Sequence, residues 1–129
     1  MQIQIETRTQ NTITSYDHSQ VMINGILYND NFILSKETII SPWNISSLNH
    51  LTIDDIEPIM ELNPKVILIG HNTPDLQLPI DIQQWLSTYQ IGIECMLLGA
   101  ACRTFNVLLA EDRHVVAGLI LKSQVHTLD

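Results

Sequence analysis

Glu94, Cys102, Arg103 and Asn106 fall close together in residues 91–121, the one stretch of the chain where so many polar groups enter an apolar frame. Each has a chemistry to offer. Cys102 is expected in the first turn of a helix beginning near Ala100, where the positive end of the helix dipole lowers a thiol pKa and favours the nucleophilic thiolate. The competing reading packs it between Ala101 and Phe105 as a small apolar group, as cysteine often is. No histidine stands at a local spacing that marks it as the base. Glu94 lies mid-strand on the face opposite Ile93 and Cys95, and a carboxylate buried there needs a cation or several donors. Arg103 is the expected partner, in a pair that fastens strand to helix or takes part in catalysis. Asn106, at i+4 from Cys102 and i+3 from Arg103, shares that helix side and either closes a small polar network or serves as a cap or loop contact.

Two further segments could hold a ligand. Gly70, His71 and Asn72 follow one apolar strand, and Gly99 to Arg103 follow another. In an open α/β sheet, ligands gather beyond the carboxyl ends of parallel strands, and free N–H groups at a helix start can hold an anion. Neither segment is a P-loop or a dinucleotide-binding glycine fingerprint, so a plain connecting turn is the alternative at both.

These residues need a frame, and its period changes along the chain. Ile3 and Ile5 alternate with polar neighbours, and short apolar segments follow around Val21, Ile23 and Phe32. Asn24-Gly25 is a hairpin signal, because a type I′ turn needs positive φ at both central residues. A turn at Asn29-Asp30-Asn31 is expected to continue an antiparallel β meander over about residues 1–43, which covers one side of the molecule and leaves through Ser41-Pro42-Trp43. From Thr52, a capping-box spacing to Asp55 and apolar Ile53, Ile56 and Met60 predict a short or kinked helix containing Pro58 and ending near Asn63-Pro64. The β-branched run 65–70 reads as a strand covered on both faces. Pro79 then opens a helix to about Tyr89, with Ile82, Leu86 and Tyr89 on one face. A strand over 91–98 makes a β-α-β crossover between parallel neighbours. A helix over about 100–111 and a strand over 114–122, of undetermined direction, complete an α/β part spanning about 52–122. The whole of 1–129 is expected to be a single domain.

Composition narrows the function. Fourteen acidic against six basic residues give a formal charge of −8, with Arg8, Lys36, Lys65, Arg103, Arg113 and Lys122 scattered, so nucleic acid is not an expected partner. Cys95 and Cys102 lack a C-x-x-C or partner spacing, which suits a reducing compartment. No secretory signal and no transmembrane segment is expected, and the cytoplasm is the expected location. The five histidines, His18, His50, His71, His114 and His126, have no zinc spacing, so neither metal nor cofactor is expected. Trp43, Trp85 and Phe105 read as core or interface anchors.

Gly92-x-Glu94-x-Met96, then Ala100-Ala101-Cys102-Arg103-Thr104-Phe105-Asn106-Val107-Leu108, then Glu111-x-Arg113 before an apolar strand, resembles a family of small domains of unknown function. That family includes the mitochondrial assembly factor of respiratory complex I and an adipogenesis-associated protein. Asn24-Gly25, Pro42-Trp43, Thr52 and the 66–70 strand fall in its order, so the resemblance covers nearly the whole chain. It implies a three-layer α/β fold with a mixed central β-sheet, flanking helices and an additional N-terminal antiparallel β layer. It implies no established enzymatic activity and, from the mitochondrial member, binding to other proteins. Asn72 stands where the family often has a second glycine, and could adopt the left-handed conformation. Leu97 and Leu98 replace residues commonly polar in relatives.

The resulting expectation is a non-catalytic protein-interaction domain, an assembly factor or scaffold linked to respiratory-complex biogenesis. The alternative is a small-molecule-binding domain or enzyme using the cleft between Gly70-His71-Asn72 and Gly99-Arg103. A third is a homo-oligomer pairing through the edge strand of residues 2–6.

Overall fold

The computed structural model describes residues 3–6, 10–73 and 77–121. Arg8, Lys122, His126 and position 2 of the expected edge strand, which the sequence reading used, lie outside the described residues. Among the described residues, nine strands run in chain order: β1 (Ile3–Glu6), β2 (Ile13–Tyr16), β3 (Val21–Ile23), β4 (Ile26–Tyr28), β5 (Phe32–Leu34), β6 (Thr38–Ser41), β7 (Val66–His71), β8 (Gly92–Leu97) and β9 (Val115–Leu119). The α-helices among the described residues are α1 (Ile53–Met60), α2 (Ile80–Ser87) and α3 (Leu98–Ala110). Six strands form a mixed sheet in the order β1-β6-β5-β9-β7-β8, and β2-β3-β4 form a separate antiparallel sheet. In the large sheet β9-β7-β8 are parallel and the remaining pairs antiparallel.

Alternation along each strand divides the core into two. Leu68, Ala117 and Leu119 face a layer made of α3 and the small sheet, where Ile13, Val21, Ile23, Ala101 and Phe105 are buried. Ile67, Ile69 and Val116 face α1 and α2, where Trp43, Ile56, Ile59, Ile82 and Leu86 are buried. Successive strand residues point to opposite faces, so a continuous apolar run such as Ile67-Leu68-Ile69 fills both halves. The three-layer α/β expectation is met.

Local signals position these elements. Asn24 and Gly25 have φ of 50° and 86°, as the type I′ hairpin between β3 and β4 requires. The capping box is complete: the Asp55 N–H donates to Thr52 Oγ1 at 3.3 Å, and the Thr52 N–H donates to Asp55 Oδ2 at 3.0 Å. Pro58 is accommodated inside α1, which stays short and ends at Met60.

Two details differ from the sequence reading, and a third fixes a strand direction that it left open. The N-terminal strands do not form one meander: the chain leaves the small sheet after β4, and β5 and β6 enter the large one. Phe32, Ile33 and Leu34 are all buried, so β5 needs cover on both faces, which an outer β layer does not provide. The final strand, whose direction was open, pairs parallel with β7 and antiparallel with β5 and so joins the two halves of the sheet. Tyr89 lies beyond the end of α2 and is 55% exposed, away from the buried face carrying Ile82 and Leu86.

Candidate functional site

The chemistry-bearing residues meet along the seam between α3, β7 and the small sheet. α3 begins at Leu98, one half-turn before the expected start, so Cys102 sits one turn inside the helix instead of at its positive end. The dipole's influence fades within the first turn. Cys102 is fully buried among the residues of the α3-side core. Burial pushes its thiol up to about 12, against a smaller downward pull from the Arg103 charge. A thiol held neutral in this way is a core group and a poor nucleophile at neutral pH. A thiol-specific reagent at pH 7.5 is expected to leave Cys102 unmodified in the native protein and to label it once urea unfolds the chain, read by peptide mass spectrometry. Rapid native labelling at Cys102 would restore the nucleophile reading.

The expected Glu94–Arg103 pair does not form. β8 is the outermost strand of the large sheet, so Glu94 faces solvent although it shares the α3-side face with the partly buried Met96. Arg103 instead donates through Nη1 to the Tyr16 hydroxyl oxygen at 2.6 Å. The ion pairs among the described residues are Lys36–Asp112 at 3.6 Å and Arg113–Glu111 at 3.9 Å. Lys36 and Arg113 line one depression, mixed there with Glu37, Glu61 and Asp112.

Asn106 makes a closed contact. Its Oδ1 accepts from the Ile13 N–H at 3.1 Å and its Nδ2 donates to the Ile13 carbonyl at 2.8 Å, so the side-chain amide substitutes for a neighbouring strand at the edge of β2. One turn of α3 thus carries two fasteners to β2, Arg103 through Tyr16 and Asn106 through Ile13. Replacing Asn106 by Leu leaves two part-buried backbone groups of Ile13 without these partners, at a cost of about 1–3 kcal/mol. Urea denaturation followed by circular dichroism should show this loss, and an unchanged midpoint would remove the fastening role.

The glycines and their neighbours close the seam further. A Cβ on Gly70 would lie 2.7 Å from Ala101 Cβ and 2.8 Å from Leu119 Cδ2, so α3 rests directly on β7 at this point. A Cβ on Gly99 would lie 3.1 Å from Tyr16 Cε1 and 3.4 Å from Arg103 Nη1. Asn72 donates from Nδ2 to the His18 carbonyl and is not among the residues at positive φ. His71 ends β7 with 6% of its surface exposed, and its Nδ1 is buried without a hydrogen-bond partner.

Burial lowers the His71 pKa, opposed by a hydrogen bond with the Thr73 backbone. Below about pH 6.5 the unfolded chain takes up a proton that the folded imidazole resists, so this group's contribution to stability falls as pH falls. The stability difference between His71→Leu and the parent chain is expected to shift in favour of the variant from pH 7.5 to pH 5. A difference independent of pH would contradict the shift.

Tyr16 and the Ile13 backbone were absent from the sequence-derived set. Both lie far from α3 in sequence, and nothing in their local pattern announces the contact.

Residues 13–120 match the family described as protein of unknown function (DUF498/DUF598). The chain belongs to this family. Among its curated relatives is the NADH dehydrogenase [ubiquinone] 1 alpha subcomplex assembly factor 3 of Drosophila melanogaster, 30% identical over 105 residues, covering 74% of this chain and 54% of the fly protein. The chain therefore spans about half the length of that relative. A second relative is the 13 kDa major membrane protein of Francisella tularensis, 27% identical over 101 residues, covering 78% of this chain and 82% of the other. Among solved structures, a Bordetella parapertussis protein superposes with a TM-score of 0.80 at 26% identity, covering 88% of this chain and 98% of that one. An outer membrane protein from Bartonella henselae superposes with a TM-score of 0.75 at 30% identity, covering 88% and 96%. In this chain, no helix among the described residues is long and apolar enough to cross a membrane.

Proposed function

We propose that this chain is a non-catalytic protein-interaction domain that serves as an assembly factor or scaffold in respiratory-complex biogenesis. One observation carries the reading: Arg103 and Asn106, the polar groups best placed to meet a ligand at the seam, are engaged with Tyr16 and Ile13. The raised Cys102 pKa supports it, and the naming of the fly relative as a complex I assembly factor supplies the class of process. Two free cysteines support a reducing, cytoplasmic setting. Deleting the gene and resolving respiratory complexes on native gels tests the proposal, together with affinity capture of the full chain. Accumulated assembly intermediates and a co-purifying complex subunit or assembly protein are expected. Normal complexes with no specific partner would overturn it.

A second reading, a small-molecule site near Gly70-His71-Asn72 and Gly99-Arg103, draws support from the buried, unpartnered His71 Nδ1. Titrating inorganic phosphate and simple carboxylates while observing the His71 imidazole by nuclear magnetic resonance tests it. A saturable shift favours the site, and an unperturbed ring removes it.

A further inference from the structure

Away from the seam, Glu57, Met60, Glu61, Trp85 and Tyr89 line a depression between α1 and α2. Past Met60 and Tyr89 it meets a second depression lined also by Lys65, Ile91 and His114. Its apolar side is continuous with the core, because Met60, Trp85 and Ile91 are partly buried against the cluster beneath α1 and α2. Trp85 and Tyr89 meet edge to face with ring centroids 5.5 Å apart, and Tyr89 is 55% exposed. Aromatic residues and methionine are enriched where proteins dock, since they offer large contact area at little entropy cost.

The charges beside these rings are placed where the free protein does not favour them. Glu57 lies in the last turn of α1 and Glu61 caps its end, with no basic residue in that turn. The carboxyl end of a helix is its negative pole, and like charges at i, i+4 repel. Among the described residues, neither carboxylate makes an ion pair. A cation laid between them would relieve both penalties and could also rest on the faces of Trp85 and Tyr89.

We infer that this groove docks a basic segment of a partner protein, an aliphatic side chain packing on Met60 and Trp85 while a Lys or Arg is held by Glu57, Glu61 and the aromatic pair. The inference deepens the protein-interaction reading and rests on it. The occupant's charge follows from Glu57 and Glu61, which line this depression with no basic residue beside them, and its apolar part from Met60, the partly buried Trp85 and the exposed Tyr89 ring.

A benzophenone photocrosslinker placed in the full-length protein at position 89, and separately at exposed position 107 on α3, tests this in cells of the native organism. The expected adduct forms at 89, maps to a partner peptide carrying Lys or Arg beside an aliphatic residue, and falls at least tenfold in a Glu57→Gln/Glu61→Gln background. That background should melt at the same temperature as the parent or higher, because it removes repulsion. Adducts at 107 alone would overturn the groove while leaving a protein-interaction role standing. No adduct at either position would overturn the groove, and the native-gel and affinity-capture results would then decide the wider role separately. Crosslinking to an acidic or uncharged peptide, insensitivity to the double substitution, or a lowered melting temperature would each overturn the assignment.

Discussion

Trp43→Ala is expected to cost about 3–5 kcal/mol, the range for emptying the site of a large buried aromatic side chain. Trp43 is 2% exposed, and its Nε1–H donates to the Asp55 carbonyl in α1 at 3.0 Å. Its ring lies across β9 at Gly118, where an added Cβ would come within 2.6 Å of the ring. The substitution removes the plate that joins the central sheet to α1 and breaks a hydrogen bond to that helix. Domains of this size commonly hold about 5–15 kcal/mol in total, so a large share would be lost. A fall in melting temperature of roughly 10 °C or more, followed by far-ultraviolet circular dichroism, is the expected readout. Trp43→Phe keeps an aromatic ring and should cost less. A loss under about 1 kcal/mol for the alanine variant would show that the site collapses around the gap.

Gly70→Ala is the second large effect, of about 1–3 kcal/mol, and its cause is overpacking. The new methyl group would stand 2.7 Å from Ala101 Cβ and 2.8 Å from Leu119 Cδ2. Leu119 can turn its side chain, whereas Ala101 has no side-chain torsion to adjust and α3 must move. Ala101→Gly should therefore rescue part of the loss, although glycine inside a helix costs about 1 kcal/mol by itself. The double variant is expected to be more stable than the sum of the two single effects, as contacting residues often are coupled. Strict additivity would place the strain elsewhere. Gly99 provides the contrast, because its nearest neighbours at 3.1 and 3.4 Å are the ends of the longer Tyr16 and Arg103 side chains.

Most elements were legible in sequence because their signals are local. The Asn24-Gly25 turn, the Thr52-Asp55 capping box and the apolar 66–70 strand each depend on residues within a few positions of one another. The candidate site was less legible. Arg103 and Asn106 were placed on one side of a helix by their spacing, but their partners Tyr16 and Ile13 are 87 and 93 residues away. A helix period shows which way a side chain faces and carries no information about what faces it. Glu94 shows the same gap: its strand was identified, but only the sheet order makes β8 an outer strand and leaves the carboxylate in water.

The sequence by itself determined the family, the alternation of strands and helices, the acidic surface and the apolar faces, all of which follow from composition and short-range periodicity. Only the tertiary structure decided that β9 runs parallel to β7, that β5 and β6 belong to the central sheet, and that α3 is tied to β2. Those outcomes depend on which distant surfaces bury one another most completely, and that competition is resolved only when the whole chain packs.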